Sequence, residues 1–338
     1  MTFQVLVSAP YMLPVLERFR PVFAAAGIDL SVADVKERLT EAELLAYAGA
    51  IDGAICGDDE FTARVLQSAA PRLKVLSKWG TGIDSIDREQ AARLGIQIFN
   101  TPGAFTEAVA DSVLGYVLAF ARRIPWADRE MKAGTWDKPV ARALHECVLG
   151  VVGVGNIGKA VLRRGGAFGM RLLGNDIVRV DPGFLAETPV EMVSLDRLLA
   201  QSDFVSLNCD LNSTSRHLMD REALSHMGPS AVLINTSRGP VVDEDALVAC
   251  LRSGRIGGAA LDVFEEEPLP ANSPLRSFSN VLLSPHNANS SPQAWERVHR
   301  STIENLFRGL GLTVPSGGWP AADPGPRSET ALRRDHPG

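Results

Sequence analysis

Short apolar runs alternate along the chain with longer stretches in which apolar positions recur at helical spacing. Phe3–Val7, Ile28–Val32, Gly53–Cys56 and Leu73–Ser77 read as strands. Pro14–Ala26 reads as a helix stopped by Gly27. Thr40-Glu41-Ala42-Glu43 is a capping box, so a helix follows it. A second series begins at Val148 and places strands at Val148–Val152, Leu172–Asn175, Phe204–Leu207, Ala231–Asn235 and Gly258–Leu261. Ser291–Gly309 closes it as a helix. This strand–helix alternation predicts an α/β fold with parallel sheets covered on both faces. Thr106–Arg122 is apolar nearly all round, which marks either a core helix or a subunit interface. From Pro315 onward proline and glycine crowd the sequence, and too few apolar side chains remain to offset the entropy of ordering it.

Composition narrows the class. A chain of 338 residues suggests two domains of roughly 150 each. Net charge is −6, so no basic footprint for nucleic acid is present at the level of the whole chain. Cys56, Cys147, Cys209 and Cys250 form no C-x-x-C pair and read as buried thiols in a reducing compartment. The N-terminus lacks a basic signal region, and no apolar run approaches the ~20 residues of a membrane helix. The expectation is a cytoplasmic protein with no nucleic-acid or membrane partner.

Gly153-Val154-Gly155-Asn156-Ile157-Gly158 fits the glycine pattern of a dinucleotide-binding turn. It follows an apolar strand and opens an apolar-periodic helix, and Asp176 ends the next strand eighteen residues after Gly158. Gly153 permits the tight turn, Gly155 admits a pyrophosphate, and Gly158 lets helix and strand approach. The helix start offers unpaired N–H groups to phosphate, and Asn156 and Ile157 begin that helix. Asp176 suits a ribose diol and would repel a 2′-phosphate, which favours NAD over NADP. Arg179 nearby weakens that preference.

Three later segments follow strand-like runs: Asn235-Thr236-Ser237-Arg238-Gly239, Leu261-Asp262 through Glu267-Pro268, and Leu283-Ser284-Pro285-His286. With Gly80-Thr81-Gly82-Ile83-Asp84 and Asn100-Thr101-Pro102, they make the chain resemble the D-isomer-specific 2-hydroxyacid dehydrogenases, in the branch that contains phosphoglycerate dehydrogenase. The resemblance spans roughly residues 50–310. It implies two Rossmann-like doubly wound parallel-sheet domains with a cleft between them. Residues 1–100 with 288–312 would form the substrate domain and 101–287 the NAD-binding domain, leaving 313–338 as a disordered tail. It implies NAD as cofactor, a small 2-oxo or 2-hydroxy acid as substrate, and a homodimer with the helix Thr106–Arg122 at its interface.

The same resemblance assigns roles. Arg238 would hold the substrate carboxylate with its planar, permanently charged fork. His286 would be the general acid, and Glu267 would orient its imidazole. Glu265 and Glu266 read as solvated loop charges. Asp262 would face the nicotinamide carboxamide, and Cys209 and Thr236 would line the cofactor site. Lys78, Trp79, Gly80, Thr81 and Gly82 would receive the substrate. The other histidines, His145, His217, His226, His299 and His336, match no family site and read as surface or structural.

Asp210, Asn287 and Phe105 depart from the family pattern, and the last two bear on substrate identity. Asp58-Asp59-Glu60 put three acids after the third strand, where phosphoglycerate dehydrogenases carry basic residues. They either cap the helix Phe61–Gln67 or face the cleft, and both places oppose a phosphorylated substrate. Lys138 and Arg142 could offer a basic patch from the other side. Two alternatives remain open: a true phosphoglycerate dehydrogenase, and a non-enzymatic protein that senses NAD(H) through the same fold.

Overall fold

A computed structural model describes residues 2–315 and 319–321. The chain divides into two compact units, residues 1–104 with 291–338, and residues 105–290. The breaks fall at Ala104/Phe105 and Ser290/Ser291, a few residues further along the chain than the bounds of 101 and 287 expected from the sequence. No helix among the described residues is long and apolar enough to cross a membrane.

The first unit is built on strands β1 (Phe3–Val7), β2 (Ile28–Val32), β3 (Gly53–Cys56), β4 (Val75–Lys78) and β5 (Gln97–Phe99). They pair in the order β2-β1-β3-β4-β5, all parallel. The chain runs outward from β1 in both directions, so the order reverses beside β1. Ligands of open parallel sheets bind beyond the carboxyl ends of the strands at such a point. β3 and β4 are buried at every position, as strands covered on both faces must be. One face carries the cluster of Leu6, Ala54, Cys56, Leu66 and Leu76. Against β3 and β4 lies the last helix of the described residues, Pro292–Gly309. A Cβ on Gly53 would lie 2.9 Å from Leu306, and one on Gly309 would lie 2.3 Å from Val75, so the helix sits nearly on the backbone.

The second unit contains β6 (Val148–Val152), β7 (Arg171–Asn175), β8 (Val190–Met192), β9 (Phe204–Leu207), β10 (Val232–Asn235), β11 (Gly258–Leu261) and β12 (Val281–Leu283). Their order is β12-β11-β10-β9-β6-β7-β8, again all parallel, with the reversal between β6 and β9. This is the doubly wound nucleotide-binding arrangement. Hydrophobic clusters fill both faces, one around Leu207, Leu233 and Leu247, the other around Val151, Val161 and Ile234.

The helix Thr106–Ala121 buries Val109, Ala110, Val113, Leu114, Val117 and Ala121 and packs along the helix Asn156–Ala167. It is not enclosed all round, because Asp111 is exposed and pairs with Arg164 together with Glu107. The capping box forms as predicted: Thr40 accepts from the Glu43 N–H, and Glu43 accepts from the Thr40 N–H.

Part of the expected disordered tail is placed. Trp319 meets Phe19 edge to face, with the Arg300 guanidinium over its ring. Arg300 donates to the Pro320 carbonyl and Arg18 to that of Ala321. Composition hid this because the anchors lie in two distant helices. The rest of the expected tail lies outside the described residues.

Candidate active site

The Gly153–Gly158 turn leaves β6 and enters the helix Asn156–Ala167. Gly153 has φ +88°, and a Cβ there would lie 2.6 Å from the Cys209 nitrogen. A Cβ on Gly158 would lie 2.0 Å from the Gly153 carbonyl oxygen. Both positions therefore require glycine. Gly155 and Asn156 are exposed at the helix start, where N–H groups and the helix dipole attract phosphate. Asp176 accepts from the N–H groups of Val154 (2.6 Å) and Val178 (2.8 Å), which locks the carboxylate beside the glycine turn. Ile177 and Val178, passed over in the sequence, stand 80% and 69% exposed just beyond it. Their signal was two branched apolar residues directly after the acid.

At the ends of the two neighbouring strands, Asn208 Oδ1 and Thr236 Oγ1 are buried without a hydrogen-bond partner among the described residues. Such orphaned polar atoms suit a polar ligand. Burial pushes the Cys209 thiol up to about 11, so it is a neutral wall and not a nucleophile. The polar groups of this edge fit a dinucleotide.

The acid–base residues stand at the ends of β10, β11 and the short β12. Glu267 Oε2 meets His286 Nδ1 at 2.9 Å, and Glu267 Oε1 accepts from the Phe264 N–H at 2.9 Å. An ionised carboxylate only accepts, so Nδ1 carries the hydrogen and Nε2 faces away from Glu267. Their side chains are 23% and 19% exposed, open to a small ligand but mostly out of water. Arg238 lies on the next loop, its Nη1 donating to the Ser237 carbonyl at 2.9 Å. The loops are pressed together at Gly239, where a Cβ would lie 1.8 Å from the Phe264 oxygen.

His286 has φ +51°, a conformation that costs a residue with a side chain about 1–3 kcal/mol. Asp262 holds it there. The Asp262 carbonyl accepts from the His286 N–H at 2.7 Å, and its carboxylate accepts from the N–H groups of Asn287 and Ala288, each at 2.9 Å. Both Asp262 carboxylate oxygens thus accept from the turn that carries His286. The helix Thr106–Ala121 braces the same loop. Ser112 Oγ shares its hydrogen between the Ala108 carbonyl of its own helix at 3.1 Å and the Ala288 carbonyl at 3.2 Å, and Tyr116 bonds Ser284. Nothing in the sequence distinguished Ser112 or Tyr116 from their apolar neighbours. Glu265 is not simply solvated, because it pairs with His217 Nε2 at 2.5 Å.

In the first unit, Gly80-Thr81-Gly82 follow β4. The Gly80 carbonyl accepts from the Thr101 N–H, and Asn100 donates to the Thr81 carbonyl at 2.6 Å. Asn305 of the last helix donates in turn to the Asn100 carbonyl at 3.2 Å. Asn100-Thr101-Pro102 thus buttresses the glycine loop.

Lys78 is buried and its Nζ meets Asp58 at 2.8 Å, so its charge is already compensated. Asp59 is wholly buried and accepts from the Ser8 hydroxyl and the N–H groups of Leu39 and Gly57; burial pushes its carboxyl up. Thr62, not an acid, caps the helix Ala63–Ala69. Of the two places open to the three acids, the cap is taken by Thr62; Asp58 pairs with Lys78, Asp59 accepts from Ser8, Leu39 and Gly57, and Glu60 accepts from the Glu41 N–H. Such a short chain of side-chain contacts has no signature in a linear sequence.

Trp79 and His299 are both buried, and the Trp79 indole N–H donates to His299 Nδ1 at 2.9 Å. His299 is not on the surface, and burial lowers its imidazole to about 4. Phe105, expected to be able to face a cleft, is buried, while Asn287 is exposed.

Residues 114–288 match the family described as D-isomer specific 2-hydroxyacid dehydrogenase, NAD binding domain. A glyoxylate reductase of Thermofilum pendens is 42% identical over 263 residues, covering 76% of this chain and 77% of that protein. A hydroxypyruvate reductase of Thermotoga maritima is 36% identical over 282 residues, covering 82% and 90%. The crystal structure of a D-lactate dehydrogenase from Aquifex aeolicus, complexed with NAD and lactic acid, superposes with a TM-score of 0.81 at 26% identity over 91% of this chain and 95% of that one.

Proposed function

This chain belongs to the D-isomer-specific 2-hydroxyacid dehydrogenase family and is an NAD-dependent oxidoreductase, and on that premise we propose that it reduces a non-phosphorylated 2-oxo acid to the D-2-hydroxy acid with Arg238, Glu267 and His286 as its catalytic residues. The observation that carries this reading is the 2.9 Å contact between Glu267 and His286 Nδ1, on a loop pressed against that of Arg238.

Bound NADH supplies a hydride to the carbonyl carbon. Arg238 anchors the substrate carboxylate and polarises the carbonyl through its guanidinium. The carbonyl oxygen keeps the electron pair of the broken π bond and takes a proton from His286 Nε2. Glu267 holds the ring orientation and favours the cation that must form again when solvent returns the proton. Asp262 positions the turn. Gly80–Gly82 offer backbone N–H groups to the carboxylate, where glycine admits close approach. Gly153–Gly158 hold the pyrophosphate, Asp176 the adenosine ribose, and Thr236 and Asn208 the remaining polar edge of the cofactor.

The partner protein in this reading is a second copy of the chain. Ile124, Met131, Trp136 and Val140 are all at least half exposed within seventeen residues, four apolar side chains on an otherwise polar segment that follows the helix Thr106–Ala121. Sedimentation velocity of the purified protein tests it, with a monomer at micromolar concentration as the contrary result. The buried cysteines suit the reducing cytoplasm.

The deciding experiment is a panel of 2-oxo acids with NADH, followed by loss of the reduced cofactor's absorbance. Turnover of at least one establishes the enzyme. Tight NADH binding with no turnover of any acid would overturn the roles given to Arg238, Glu267 and His286.

A further inference from the structure

A cavity of about 270 Å³ lies wholly within the first unit, walled by Tyr11, Val15 and Trp295, with His299 also lining it and Lys36 and Glu37 contributing one charge of each sign. We propose that this cavity is the side-chain pocket of the enzyme and takes an apolar group of isobutyl to phenyl size on the 2-oxo acid; the assignment rests on the dehydrogenase reading above.

Three observations converge on it. The first is place. Tyr11 and Val15 follow β1, and Lys36 and Glu37 follow β2, so the cavity opens at the carboxyl edge of the sheet beside the strand where the order reverses. That is where open parallel sheets hold ligands.

The second is connection. Tyr11 stacks on Trp79 with ring centroids 4.6 Å apart and planes 20° apart. Trp295 crosses Tyr11 at 5.0 Å. Trp79 opens the Gly80–Gly82 loop that receives the carboxylate, and His299, which lines the cavity, holds the Trp79 indole. Trp79 thus belongs both to the anchoring loop and, through Tyr11 and His299, to the aromatic group that walls the cavity.

The third is chemistry. Ring faces and a branched aliphatic wall favour apolar surface, at about 25 cal/mol per Å² buried. Aromatic partners add geometry-dependent attraction. Lys36 and Glu37 bring one charge of each sign, so the lining has no net charge. The volume falls just under the ~300–1,000 Å³ of complete small-molecule sites, which suits one substituent and not a cofactor. Glyoxylate, with only hydrogen on its carbonyl carbon, would leave the cavity unused.

The test compares kcat/KM for phenylpyruvate and 4-methyl-2-oxopentanoate with glyoxylate and hydroxypyruvate, in the wild-type enzyme and in Val15→Trp and Trp295→Ala. The expected result is a preference of about tenfold or more for the bulky acids, the scale on which an apolar pocket discriminates. Val15→Trp, which fills the cavity, should abolish that preference, and Trp295→Ala should weaken it. Equal or faster turnover of the small acids by wild type overturns the pocket while leaving the dehydrogenase reading intact. If no acid is turned over, the dehydrogenase reading falls first, and quenching of tryptophan fluorescence by phenylacetate decides the pocket. Saturable quenching that Val15→Trp removes supports it, and no quenching beyond that given by acetate overturns it.

Discussion

Asp262 and His286 are bound back to back: the Asp262 carbonyl takes the His286 N–H at 2.7 Å, and the Asp262 carboxylate takes the next two N–H groups. An acid with 1% exposure thereby fixes a histidine in a left-handed conformation that few residues adopt. Position and chemistry are divided between two carboxylates, Asp262 for the backbone and Glu267 for the ring.

Replacing Asp262 by Ala should leave two N–H groups without their acceptor and release the strained turn. Each bond to a charged group contributes about 1.5–3 kcal/mol, and release of the strained turn returns about 1–3 kcal/mol, so a net loss of roughly 2–4 kcal/mol is expected in urea unfolding. Turnover should fall as well. Unchanged stability together with unchanged kcat would remove Asp262 from the role of holding His286.

His286→Ala should lower kcat by about 10²–10⁴-fold, the usual contribution of a positioned general acid. NADH affinity, measured by fluorescence titration, should change little. Glu267→Gln keeps a hydrogen-bonding group but loses the charge, and should cost on the order of tenfold in kcat. A His286→Ala enzyme with near-normal turnover would end this assignment.

NADH should be preferred over NADPH. The Asp176 carboxylate is fixed at 2.6 and 2.8 Å from two backbone N–H groups and cannot swing away from an incoming 2′-phosphate. Asp176→Ser should narrow the ratio of the two kcat/KM values by about tenfold or more, the effect of ~1.4 kcal/mol of like-charge repulsion. Equal use of both cofactors by wild type would contradict the role given to Asp176.

3-Phosphohydroxypyruvate should not exceed the non-phosphorylated acids. A phosphate needs cationic forks or helix starts to replace its water. Lys78, the cation nearest the glycine loop in sequence, is buried and already neutralised by Asp58. The decisive comparison is kcat/KM under one salt and pH, and a tenfold advantage of the phosphorylated acid would restore the phosphoglycerate dehydrogenase alternative (tenfold being ~1.4 kcal/mol).

Stability should carry a component from His299. Its folded value is about 4 against an ordinary 6.5, because burial, aided by Arg18, disfavours the cation although Glu296 opposes this. The fold therefore prefers the neutral ring. The contribution is complete above pH ~6.5 and is lost as pH falls towards 4, by about 3 kcal/mol in all. The indole bond from Trp79 needs the neutral Nδ1 as acceptor, which agrees in sign. Urea unfolding of wild type and His299→Gln between pH 7 and pH 4 should show a shallower pH dependence in the variant. Parallel curves would count against it.

The sheets were legible because their strands are apolar runs of four or five residues bounded by glycine or polar turns. β1, β3, β6, β9 and β11 start and end where the pattern places them. β5, β8 and β12 have three residues each, too few for a period to register, and their pairing comes from the neighbouring strand. His286 and Glu267 were legible only as members of a family pattern; their meeting depends on two strands nineteen residues apart in sequence. The tasks of Asp59, Asp262 and His299 were not legible. A buried acid that accepts backbone N–H groups looks, in a sequence, like any loop acid. Trp79 and His299 are 220 residues apart, and no local rule joins them.

The first unit contains both the earliest strand and the final helix, Pro292–Gly309, whose Leu306 and Gly309 lie against Gly53 and Val75. During translation, the second unit has all its residues before that helix exists. β3 and β4 meanwhile lack the cover that makes them fully buried in the finished protein. The part of the chain made first is thus completed last, and a nascent chain stalled before residue 291 would expose an apolar sheet face while its nucleotide-binding unit is already whole.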